Sequence, residues 1–209
     1  MKKIKAILFD MDGVLIEAKD WHYEALNEAL RLFGHEISRQ DHLTTFDGLP
    51  TRDKLNLISE TSFLPVSLHG FVNEMKQHYT RTQIELKCKP LFQHEYALSK
   101  LKKEGYKIAV CSNSIRASID NMMEKAALAQ YLDLIMSNED VTKGKPNPEI
   151  YTTAMQRLGV LPEECLILED NKNGIAAAKA SGGNLLQIVE VTDVNYNNIR
   201  NRINEIESV

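Results

Sequence analysis

The residues with chemical potential fall in four short stretches. At 7–15 the sequence reads ILFDMDGVL, so Asp10 ends an apolar run and Asp12 follows two residues later, before Gly13. Two carboxylates this close repel, and a nearby cation or a shared proton relieves the repulsion. The pattern suits metal-assisted chemistry in which one Asp attacks and the other trades protons. It also reads as a strand end and a plain turn. At 112–114, Ser112, Asn113 and Ser114 follow Cys111. A hydroxyl beside the N–H groups of a helix start makes an anion site, and either serine serves equally well as a helix N-cap. At 143–148, Lys143, Gly144, Lys145, Pro146, Asn147 and Pro148 form a loop stiffened by two prolines. Lys145, next to Pro146, is rigid enough to stand between an attacking carboxylate and a phosphoryl oxygen. Lys143 reads as a solvent lysine, which is also the plain reading of Lys145. At 168–171, Leu168 runs into Glu169, Asp170 and Asn171. Oxygen ligands from two strand tips suit Mg²⁺, and an acid pair capping the next helix is the alternative.

These stretches need a scaffold that gathers distant strand ends. Ile4–Phe9 reads as a first strand. From Asp20 the apolar residues Trp21, Ala25, Leu26, Ala29, Leu30 and Phe33 recur at helical spacing, with Asp20 as N-cap and Gly34 as stop. A second helix starts near Thr51 and breaks at Phe63-Leu64-Pro65, and a third spans about 67–84. After Cys88-Lys89-Pro90, strands and helices alternate. Helices are expected over 96–103, 115–129, 148–158, 174–180 and 196–206, with strands at 107–111, 132–136, 166–168 and 185–189. Such alternation means right-handed βαβ units on a parallel sheet covered on both faces. The expected fold is α/β: a doubly wound, Rossmann-like core over 1–16 and 88–209, with a small helical cap domain inserted at 17–87.

Composition excludes several classes. The 209 residues carry 25 basic and 29 acidic side chains, a net charge of −4, with no block of like charge. No nucleic-acid footprint and no polybasic membrane patch is visible. The 43 % apolar and 26 % charged content is ordinary for a globular protein. The three cysteines, Cys88, Cys111 and Cys165, have no zinc-type spacing and read as free thiols of a reducing cytosol. Met1-Lys2-Lys3 is basic, but the apolar run behind it is too short for a signal sequence. A cytoplasmic protein that is a monomer or weak dimer is expected.

Taken together, FDMDGVL at 9–15, SNS at 112–114, GKPNPEIY at 144–151 and LEDNKNGI at 168–175 closely resemble the haloacid dehalogenase superfamily. The likeness is to its phosphatase branch with a helical cap after the first motif. The resemblance implies that Asp10 is the nucleophile, forming an aspartyl-phosphate, and Asp12 the general acid/base. It implies that Ser112 binds the phosphoryl group and Lys145 stabilises the intermediate. Glu169 and Asp170, with Asp10 and the Asp12 carbonyl, are implied ligands of Mg²⁺. Dehalogenases of the superfamily lack an Asp where Asp12 stands, so phosphoryl transfer is favoured.

The cap stretch Phe46–Arg52 resembles the family's substrate-specificity loop. Arg52 is placed there to meet an anionic group, and Gly48 to line the site. His22 falls where relatives often carry a histidine on the first cap helix. With Asn113 and Ser114 these are the substrate-binding candidates, and Lys76 joins them if its helix register allows. The expected enzyme is a Mg²⁺-dependent phosphatase of a small phosphorylated metabolite, a sugar phosphate first. A β-phosphoglucomutase-like mutase is the alternative, weakened because Asp47 replaces the mutase lysine before Gly48 and Ala18 the hinge threonine. A non-catalytic metabolite-binding module is the reading from another class.

Overall fold

The structure, a computed structural model, describes residues 3–62 and 64–208; Phe63, part of the expected break, and Met1 and Lys2 lie outside them. Five strands, β1 (Ala6–Phe9), β2 (Lys107–Cys111), β3 (Leu134–Met136), β4 (Cys165–Glu169) and β5 (Asn184–Gln187), form one sheet in the order β3-β2-β1-β4-β5. All neighbouring strands run parallel. β1 is central because it is apolar at every position and wholly buried. Register places Phe9 beside Val110 of β2 and Leu168 of β4. The residues just past these partners are therefore neighbours at the sheet's C-terminal edge, the usual ligand-binding edge of such sheets.

Successive strand residues point to opposite faces, and the core divides accordingly. Ile7, Phe9, Ile108, Val110, Leu166 and Leu168 face one way. They pack on α5 (Phe92–Lys103), α6 (Arg116–Lys125) and α9 (Tyr196–Glu207). Ala6, Leu8, Ala109, Cys111, Cys165 and Ile167 face the other way, onto α7 (Glu149–Leu158) and α8 (Lys172–Ala180). All three cysteines are buried free thiols.

Between β1 and β2 the chain is helical. It forms α1 (Lys19–Arg31), a short α2 (Arg39–Asp41) continuing into a π-turn (His42–Phe46), α3 (Thr51–Ser62) and α4 (His69–Lys87). A separate core holds them together: Leu26, Ala29 and Leu30 of α1, Phe46 of the π-turn, Leu55 and Ile58 of α3, and Val72 of α4. The base of α4 differs, since Ile84 joins the sheet's core. Among the described residues no helix is long and apolar enough to cross a membrane.

Several element ends differ from the sequence expectation. α1 begins at Lys19 with Ala18 before it, so Asp20 sits in the first turn and caps nothing. α5 starts at Phe92, a turn early; in that turn the apolar Phe92 is exposed and the buried residue is His94, so no apolar periodicity marks it. α6 stops at Lys125, where Ala127 adopts a left-handed φ of 58°.

Candidate active site

The site begins one residue beyond β1. Asp10 donates its backbone N–H to Leu168 O at 3.0 Å, which fixes its carboxylate at the sheet edge. Bonds from Leu15 and Ile16 N–H to Met11 O then fold the chain into a tight loop carrying Asp12. Lys145 reaches the same point from the loop after β3. Its ammonium donates to Asp10 Oδ1 at 2.6 Å, Glu169 Oε1 at 2.6 Å and Cys111 O at 2.8 Å, so all its protons are engaged. Tyr151 of α7 donates its hydroxyl to the same Glu169 oxygen at 2.5 Å. Gly174 makes room for that carboxylate, since a Cβ there would lie 1.9 Å from Glu169 Oε1.

Electrostatics follow from burial. Burial, then the Glu169 charge, raises the Asp10 pKa well above the ordinary carboxylate value despite Lys145. Burial opposes the charge on Lys145 too, but Asp10 and Glu169 outweigh it and keep the ammonium protonated. A second relay holds Asp12. His22 Nε2 lies 3.2 Å from Asp12 Oδ1, Lys76 Nζ lies 3.2 Å from His22 Nδ1, and the Ser114 hydroxyl donates to Asp12 Oδ2 at 3.3 Å. Burial pushes the Asp12 pKa up, yet His22, Lys76 and Ser114 together bring it below the usual value. Burial, aided by Lys76, lowers the His22 pKa and favours the neutral ring.

The donor set fits a hard divalent cation. One oxygen each from Asp10, Glu169 and Asp170 lies within 4.8 Å of the others. Both Asp170 oxygens are buried and take part in no hydrogen bond. The Lys19 ammonium forms an ion pair with Oδ2 without hydrogen-bond geometry. Burial raises the Asp170 pKa against the pull of Lys19. Gly13, at φ +87°, leaves the approach open, since a Cβ there would lie 2.2 Å from Asp170 Oδ2. Carboxylate oxygens with no protein donor are what Mg²⁺ or Ca²⁺ chemistry takes as ligands. Within this trio Asp170 keeps Oδ1 without a partner among the described residues while Lys19 pairs with Oδ2, and Glu169 is already tied to Lys145 and Tyr151.

A cavity of about 500 Å³ opens between this strand edge and the helical segment. It brings together Asp10, Asp12, Ser112, Ser114, Lys145, His22 and Lys76. Ser112 is buried beside Asp10's strand and accepts the Ser114 N–H at 3.1 Å. Asn113 reaches the site's edge, but its amide is committed. It donates to Gly48 O at 2.9 Å and Lys145 O at 3.3 Å and accepts from Lys145 N at 3.0 Å. Asn113 thus ties the helical segment's loop to the Lys145 loop. Arg52 borders the cavity, yet its side chain is 79 % exposed and turns to Asp53 at 3.4 Å. Lys19, His42, Lys54 and Tyr151 were not singled out from the sequence. Lys54 was findable, because it precedes the buried Leu55 and stands four residues before the buried Ile58 on one helix face.

Comparison with known proteins places the chain in a family. The sequence pattern of the haloacid dehalogenase-like hydrolases matches residues 7–188. A phosphorylated carbohydrates phosphatase of Thermotoga maritima is 30 % identical over 179 residues, covering 86 % of this chain and 82 % of that protein. A phosphoglycolate phosphatase of Aquifex aeolicus shows the same identity and coverage. Among solved structures, a β-phosphoglucomutase from Clostridium difficile superposes with a TM-score of 0.85. It covers 99 % of this chain and 100 % of its own at 22 % identity, a likeness of fold.

Proposed function

Since the chain belongs to the haloacid dehalogenase-like hydrolase family, we propose that it is a Mg²⁺-dependent phosphatase. Its substrate is a small phosphorylated metabolite, most simply a sugar phosphate. The observation carrying this reading is the buried cluster in which Lys145 bridges Asp10 and Glu169 at 2.6 Å each, beside the Asp170 carboxylate, whose Oδ1 has no partner among the described residues. The relatives named as phosphatases of phosphorylated carbohydrates and of phosphoglycolate support the substrate class.

Asp10 is the nucleophile of this scheme. Its carboxylate attacks phosphorus, the alcohol oxygen leaves, and an aspartyl-phosphate forms on Asp10. Asp12 delivers the proton to the leaving oxygen and then takes one from the water that cleaves the intermediate. His22 and Ser114 orient Asp12 for that exchange, and their hydrogen bonds favour its ionised, proton-accepting form. Lys145 holds the Asp10 carboxylate in place and offsets phosphoryl charge. The Ser112 hydroxyl and the nearby N–H groups receive a phosphoryl oxygen. Mg²⁺, held by Asp10, Asp170 and the Asp12 carbonyl with Glu169 behind, would keep Asp10 ionised and neutralise the dianion before attack. The helical segment 17–87 serves as a cap that excludes bulk water.

The test is a screen of phosphorylated metabolites for phosphate release, with Mg²⁺ and with the metal chelated. β-Glucose 1-phosphate belongs in it with sugar-product analysis, because a mutase returns an isomer where a phosphatase releases phosphate. Mg²⁺-dependent phosphate release supports the proposal. Isomerisation without release selects the mutase reading, and silence toward every ester, aryl phosphates included, removes both.

A further inference from the structure

The helical wall of the cavity holds positive charge that the protein does not neutralise. Lys54 of α3 is 8 % exposed and lines the cavity, and its ammonium forms no hydrogen bond or ion pair with any described residue. Lys76 of α4 is 7 % exposed, and its hydrogen-bond partner is the His22 imidazole rather than an acid. The acids whose charge reaches these lysines are Asp47 and Asp12. Asp12 is already engaged by His22 and Ser114. The Nε2 of His42, beside Lys54, is buried and also lacks a partner.

Burying an ammonium without a counter-charge is costly. Burial drives both lysine pKa values down, and Lys54's charge lowers that of Lys76 further. Such groups are stabilised when an anion enters. The transferred phosphoryl group already has a cation of its own at the strand edge, Lys145 beside Asp10. The lysines of α3 and α4 belong to a different wall.

We propose that Lys54, assisted by Lys76, forms a subsite for a second anionic group of the substrate. The preferred substrate is then a phosphomonoester that also carries a carboxylate or a second phosphate. A cavity of about 500 Å³ holds a molecule of that size. The charge-recognition role given to Arg52 by the sequence thus passes to Lys54, two residues on and facing inward. This inference rests on the phosphatase reading above.

Its test compares kcat/KM for fructose 1,6-bisphosphate and 6-phosphogluconate with glucose 6-phosphate and p-nitrophenyl phosphate, all with Mg²⁺. The wild type should prefer the better doubly anionic substrate over glucose 6-phosphate by roughly tenfold or more. Whichever of the two is better tells a phosphate-taking subsite from a carboxylate-taking one. In Lys54→Met, kcat/KM for that substrate should fall roughly tenfold further than for glucose 6-phosphate, chiefly through KM. Lys54→Arg should restore most of it. The thermal midpoint of Lys54→Met should match or exceed the wild type, because a buried unpaired charge is removed. A wild type without the preference, or a variant losing all substrates equally, overturns the subsite. No turnover even of the aryl phosphate strikes the phosphatase reading instead. Calorimetric binding of fructose 1,6-bisphosphate to wild type and Lys54→Met then decides the subsite alone, tenfold weakening upholding it and equal binding overturning it.

Discussion

The two walls of the cavity handle charge in opposite ways. At the strand edge, Lys145 is surrounded by Asp10, Glu169 and the Cys111 carbonyl, and every proton on its ammonium has an acceptor. On the helical wall, the Lys54 ammonium has no acceptor among the described residues and Lys76 has a neutral ring. The Lys145 cluster is complete before substrate arrives, as electrostatic preorganisation for a fixed chemical step requires. The helical wall is left unfinished, as a site that chooses among substrates requires, because its missing counter-charge can come from the ligand. Under the proposal, chemistry and selection are thus divided between sheet and helices.

The comparison breaks first at Asp10. Asp10→Asn should lower kcat by roughly four to six orders of magnitude. Its thermal midpoint should not fall, because burial already disfavours the Asp10 charge. Substantial residual turnover would remove Asp10 as nucleophile. Next in size is the contrast between lysines. Lys145→Met strands Asp10 and Glu169 without their cation and should destabilise the fold by about 3–5 kcal/mol in urea unfolding. Equal stabilities for Lys145→Met and Lys54→Met would erase the distinction between the walls.

A smaller effect lies where the walls meet. His22→Ala should reduce kcat by roughly a hundredfold. It should also move the acid limb of the pH–rate profile to higher pH, since burial of Asp12 then loses its main opposition. An unmoved limb would separate His22 from Asp12. The mildest is a pH dependence of stability. Folded Lys76 loses its proton near a pKa of about 7, whereas an unfolded lysine keeps it up to 10.5. Between those values the unfolded chain binds more protons, so the contribution of Lys76 to stability rises with pH. His22, Lys54 and Asp12 all bear on this lysine, so the reading is a difference. The gap between wild type and Lys76→Met in unfolding free energy should narrow or reverse from neutral to alkaline pH. A constant gap would contradict it.

The same division governs what could be read from the sequence. Asp10, Ser112 and Asp170 each stand directly after a strand. Their convergence follows from the parallel strands, because a parallel sheet aligns its C-terminal ends. Lys145 was marked by its prolines. The helical wall was harder, because residues two apart on a helix point in different directions. Arg52 was favoured for its charge, while Lys54, on the stripe of Leu55 and Ile58, is the one turned inward. Lys19 is hidden by reading Asp20 as an N-cap, which places the helix start two residues late. The commitment of Asn113 to Gly48 and Lys145 joins loops far apart in sequence, and no local pattern announces it.

The most direct measurement is to quench the enzyme in acid during turnover of a good phosphomonoester with Mg²⁺ and map the modification by mass spectrometry after digestion. One phosphoryl group on the peptide containing Asp10, absent from Asp10→Asn, is the expected result. A phosphoryl group on Ser112 or another side chain, during turnover that Asp10→Asn still supports, would contradict the account.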